Sequence, residues 1–211
     1  RSRGLGDVYK RQPPAFPRTD IQDALAERFL RYSAVSSQSD AAVTTVPTSE
    51  GQWELARLLK SELEVAGASE IHLSDTCVLT AKIPATGSGP AASAPAIGFC
   101  THLDTVDVNL SPVVKARVVE YEGGDVCLNE AEDVWLRAAE HPEVERYAGD
   151  RLLVTDGTSV LGADDKAGVT TVMEAATRIL ADPSIEHGDI YLSFVPDEEI
   201  GLRGVRTMDL D

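Results

Sequence analysis

Positive charge is scarce in this sequence: 19 lysines and arginines face 35 aspartates and glutamates, a formal net charge of -16. Phosphate binding needs a basic face, so nucleic acid is not expected as a partner. Cysteine is scarcer. Cys77, Cys100 and Cys127 are odd in number and widely spaced, with no C-x-x-C pair. That excludes a disulfide framework and a thiolate metal site, and reads as reduced thiols in a cytoplasmic protein. No apolar run approaches the roughly 18 residues of a membrane span, and no charged-then-apolar leader is seen, so neither a membrane partner nor secretion is expected. A Ser-His-Asp arrangement and a phosphate-binding glycine loop are both missing.

What is present is a globular composition, 43% hydrophobic and 26% charged over 211 residues, enough for one domain with a good core. Residues 1–18 stand apart: 1–12 lack apolar periodicity and resemble a translated cloning remnant, so the segment is read as disordered or non-native. The fold is expected over 19–211. Thr19-x-x-Gln22 looks like a capping box ahead of Ile21, Leu25, Phe29 and Tyr32 at helical spacing. Ser49-x-x-Gln52 opens a second helix, with Trp53, Ala56, Leu59, Leu63 and Ala66 on one face and Gly67 placed to end it. Strands are expected at 71–73, 78–83, 96–100, 113–121, 152–155, 159–161 and 189–195, the run at 96–100 buried on both faces. The acidic stretch 130–147 is expected to be helical or irregular, and 166–180 to be a helix. Strands alternating with helices indicate an α/β layered domain whose polar clusters sit at strand ends, where open α/β sheets bind ligands.

Three clusters carry the chemistry. His102-x-Asp104 follows an apolar strand, and an extended backbone puts both side chains on one face, so that the carboxylate can orient an imidazole that ligates a metal. Gly162-Ala163-Asp164-Asp165 arrives at a helix mouth, where one aspartate suffices for an N-cap and two are more than a cap needs. In Asp197-Glu198-Glu199, one glutamate can coordinate a metal while the other takes a proton from a metal-bound water. Nitrogen with carboxylate oxygen suits zinc or manganese. Each cluster alone has a plain reading: a loop histidine with an aspartate cap, a helix N-cap, a solvated acidic turn. Together they point to a metal hydrolase.

The motifs His102-Leu103-Asp104-Thr105, Asp156-Gly157-Thr158-Ser159 through Ala163-Asp164-Asp165-Lys166-Ala167-Gly168, and Pro196-Asp197-Glu198-Glu199-Ile200-Gly201 resemble the peptidase T tripeptide aminopeptidases. These are a branch of the two-zinc aminoacylase and carboxypeptidase-like metallopeptidases. The segments Glu27-Arg28-Phe29-Leu30, Val46 to Trp53 and Gly123-Gly124-Asp125-Val126 agree, so the resemblance covers about residues 20 to 211. It implies a three-layer αβα zinc-peptidase catalytic domain with a mostly parallel central mixed sheet, incomplete at the C-terminus, its lid or dimerisation domain absent. It further implies that His102, Asp164 and Glu199 bind metal, with Asp164 bridging two zinc ions (manganese or cobalt as alternatives) and a cis Asp164–Asp165 peptide. Asp104 would orient His102, and Glu198 would act as general base. The implied substrate is a tripeptide, in the cytoplasm, with a homodimer in the full-length protein. A dipeptidase or deacylase of the same metal family shares these clusters. The family also needs a further carboxylate and a distal histidine that these residues do not supply, so a non-catalytic fragment is the third reading.

Overall fold

The computed structural model describes residues 20–91 and 93–208. The expectations for 1–18 and for a Thr19 cap fall outside them. Helix α1 spans Asp20–Ser33 and α2 spans Glu50–Ala66. Gly67 ends α2 at φ +89, its N–H bonded to the carbonyls of Leu63 and Glu64, a left-handed C-cap that glycine adopts without steric cost. The start of α2 departs from expectation: the Ser49 side chain makes no capping bond, and Gln52 turns inward instead.

Strands β1 (Ser69–Leu73) and β2 (Leu79–Ile83), both expected, pair antiparallel as a hairpin. With β3 (Ile97–His102) and β8 (Ile190–Val195) they make a mixed sheet ordered β1-β2-β8-β3. The β2–β8 pairing is antiparallel and the β3–β8 pairing parallel. Leu79, Ala81 and Ile83 of β2 lie opposite Phe194, Leu192 and Ile190 of β8, and all six are buried. They pack with Leu55, Leu59 and Leu63 of α2 and with Val169, Met173 and Ala176 of α3 (Ala163–Ala181). Each large side chain buried there contributes roughly 1.5–3 kcal/mol, so this layer carries most of the stability. The alternate residues Lys82, Tyr191 and Ser193 face the other way; Lys82 and Ser193 are partly buried and Tyr191 is exposed.

One expectation about burial is overturned. Ile97 and Phe99 are 52% and 47% exposed, because β3 lies at the edge of the described sheet rather than inside it.

Between β3 and α3 a small lobe intervenes. Strands β4 (Arg117–Glu120) and β7 (Arg151–Val154) pair antiparallel, as do β5 (Val126–Asn129) and β6 (Val134–Leu136). A short 3₁₀ turn covers Pro142–Tyr147. Tyr121, Val126 and Val144 form the lobe's own core. Strand β6 interrupts the stretch expected to be helical or irregular, the rest of which is turns and the 3₁₀ helix, and 159–161 forms no strand.

Candidate metal centre

Parallel pairing sets the site. Because β3 and β8 run the same way, with His102 registered against Val195, their carboxyl ends lie side by side. The loops leaving them carry His102-x-Asp104 and Asp197-Glu198-Glu199 to one place, and the start of α3 brings Asp164 to the same place.

Asp165 explains how α3 begins. Its Oδ1 accepts from the Gly168 N–H at 3.1 Å, the third residue on, as an N-cap does, and its Oδ2 accepts from the His102 N–H at 3.3 Å. A Cβ on residue 168 would sit 2.1 Å from that Oδ1, so glycine there is what lets the cap approach. Burial pushes the Asp165 carboxyl up. Asp164 keeps non-helical φ and ψ (-86, 106), and the Asp164–Asp165 peptide is cis. Capping therefore falls to Asp165, and Asp164 is left to face the histidine.

His102 is 7% exposed. Its Nδ1 lies 3.0 Å from the Asp104 carbonyl oxygen and 3.4 Å from Asp104 Oδ1. Its Nε2 lies 3.0 Å from Asp164 Oδ1 and 3.9 Å from Glu198 Oε2. Burial disfavours the charged ring, but the bonds to Asp104 and Asp164 outweigh it and hold His102 up at about 9. Asp104 is fully buried. Burial opposes its charge too, yet bonds from His102, the Glu198 N–H and Ser39 win and keep its carboxyl below the usual range. Its two oxygens accept from the Glu198 N–H at 2.8 Å and the Glu199 N–H at 3.1 Å. One aspartate thus fixes the imidazole and the acidic loop together. Spacing alone showed only the first of these contacts.

His102, Asp164 and Glu199 each offer a ligand atom, and the three atoms lie within 4.8 Å of one another. Burial pushes the Glu199 carboxyl up, opposed by the charge of His102. An ion set among one imidazole nitrogen and two carboxylate oxygens would replace the direct His102–Asp164 contact with bonds to both, so the residues fit a metal of the zinc class. Asp164 has 86% of its side chain exposed, leaving the cluster open on that side. His72, His141 and His187 take no part in it. No described helix is long and apolar enough to cross a membrane.

Fold and site together define an α/β domain with a candidate metal centre at the carboxyl ends of its parallel strands. No family model matches the sequence. The curated peptidase T-like protein of Yersinia pestis is 49% identical over 190 residues, covering 90% of this chain and 45% of its own length. Peptidase T of Geobacillus thermodenitrificans is 40% identical over 191 residues, covering 90% and 46%. The crystal structure of aminopeptidase PepT from Bacillus cereus superposes with a TM-score of 0.59 at 26% identity, over 89% of this chain and 40% of that one. Over nine-tenths of its length the chain is homologous to the peptidase T family. It spans a little under half the length of the curated relatives it matches.

Proposed function

We propose that the chain forms the metal-binding half of a metal-dependent aminopeptidase acting on short peptides, with tripeptides as the substrate class. The observation that carries this is the convergence of His102, Asp164 and Glu199 within 4.8 Å, with the Glu198 carboxylate beside the same imidazole. His102, Asp164 and Glu199 would hold the metal, with Asp104 fixing the His102 ring from behind. A bound metal would acidify water and polarise the scissile carbonyl. Glu198 is the general base: its side chain is 37% exposed and lies 3.9 Å from His102 Nε2, and it would remove the water proton and pass it to the departing amine.

In the two-zinc form of this reading, His102, Asp164 and Glu199 would be the side chains available to both ions. Three side chains cannot fill two four-coordinate shells. We therefore assign turnover to a protein of the relatives' length, and no turnover to these 211 residues alone.

The test is release of the N-terminal residue from a tripeptide by the protein prepared at the relatives' length, with and without a chelator. Glu198→Gln is expected to lower kcat by about 100-fold or more, the scale of lost general-base catalysis, while zinc content is unchanged. Full turnover by Glu198→Gln, or by chelated protein, would refute the mechanism.

A further inference from the structure

We infer that Gln52 and Asp197 are positioning residues that set the direction in which Glu198 and Glu199 are presented to the ligand cluster. The inference rests on the metal-site reading above. Gln52, in the first turn of α2, and Asp197, leaving β8, are both fully buried, and they bond each other twice. The Asp197 N–H donates to Gln52 Oε1 at 2.9 Å, and Gln52 Nε2 donates to Asp197 Oδ1 at 2.7 Å. Thr48 adds its hydroxyl at 2.6 Å and its N–H at 3.2 Å to the same oxygen.

Three consecutive amides of the acidic loop are thereby held by side chains from elsewhere: Asp197 N–H by Gln52, Glu198 N–H and Glu199 N–H by Asp104. The loop cannot rotate about any of these peptides without breaking a bond to another element. Asp197 also sits at φ +55, in the left-handed region that few non-glycine residues adopt. That conformation turns the chain sharply at the residue before the two glutamates.

As stability devices these groups are poorly chosen. Asp197 Oδ2 is buried and makes no hydrogen bond among the described residues. An orphaned oxygen costs free energy, and apolar residues of similar volume often serve a core as well or better. What the network supplies is direction: it ties the loop that carries Glu198 and Glu199 to the helix start 145 residues earlier.

The experiment is a zinc titration of the 211-residue chain at neutral pH against a chromophoric competitor, with thermal midpoints of the metal-free proteins recorded alongside. Gln52→Met and Asp197→Ala are expected to weaken zinc binding by about 10–100-fold, the range for outer partners of metal ligands. Asp197→Asn keeps an acceptor for Gln52 and tolerates positive φ, and is expected to recover most of that loss. Glu199→Gln serves as the ligand control. If Glu199→Gln weakens binding but Gln52→Met does not, positioning is refuted while the metal site stands. If Glu199→Gln changes nothing, the metal site itself fails and the inference falls with it. A loss of affinity that tracks the midpoint across all variants, with no recovery in Asp197→Asn, marks a merely structural role and overturns the proposal. Should Asp197→Ala not fold, Gln52→Met decides alone.

Discussion

Lys166 is 1% exposed, and among the described residues its ammonium bonds only neutral oxygens: Ser37 Oγ at 2.6 Å and, more weakly, the carbonyls of Val35 and Tyr32. Burial drives its pKa down to about 7, with the charge of Asp104 opposing. Between pH 7 and the ordinary 10.5 the unfolded chain binds a proton that the folded chain does not, so this lysine's destabilising effect is full below pH 7 and fades as pH rises to 10.5. His102 acts with the opposite sign: its raised pKa adds stability below 6.5 that is lost as pH rises through about 9. The comparison must therefore be between two proteins that both keep His102. Metal-free Lys166→Met should exceed the parent in thermal midpoint most below pH 7, the gap narrowing toward pH 10.5. Melting curves across that range check it, and parallel profiles would contradict it. At this scale the sequence was readable where chemistry restricts residue choice. His, Asp and Glu at strand ends stood out because few other side chains bind metal. Lys166, Gln52 and the split of labour between Asp164 and Asp165 were not readable, because their partners lie far away in sequence.

Helices α1, α2 and α3 were legible from apolar periodicity, and so were β2 and β8, whose alternation faces a real core. The hairpin of β5 and β6 was not. Its strands are four and three residues long, too short for a period of two to register amid so many acidic side chains. The strand β3 was found but its burial misjudged, because a run of apolar residues does not say whether a neighbour lies on each side. Gly51 shows what element packing demands beyond pattern. A Cβ there would lie 1.7 Å from the Ser36 carbonyl oxygen, so α2 rests its first turn directly on the loop that leads to Ser37. Alanine gains up to about 1 kcal/mol in helix propensity, but overpacking against backbone costs about 1–3 kcal/mol. Gly51→Ala should therefore be the less stable protein in urea unfolding, and equal or greater stability would show that the loop yields freely.

Among the described residues a four-stranded sheet packs its buried face on α2 and α3, and a small lobe with its own core is inserted between β3 and α3. Among the described residues no strand pairs with the outer edge of β3, and Ile97, Phe99 and Tyr191 remain exposed. Such an edge is a template for further pairing. The curated relatives are about twice as long as the matched region, and the exposed edge belongs to β3, the strand that ends in His102. All of the chemistry proposed here depends on these 211 residues already assembling a metal site from His102, Asp164 and Glu199. X-ray absorption at the zinc edge of the zinc-loaded chain tests that directly. The expected spectrum has a shell of nitrogen and oxygen at about 2.0–2.1 Å, with outer scattering from one imidazole that disappears in His102→Ala. A sulfur shell at about 2.3 Å, or imidazole scattering that survives His102→Ala, would place the metal elsewhere and contradict the proposed centre.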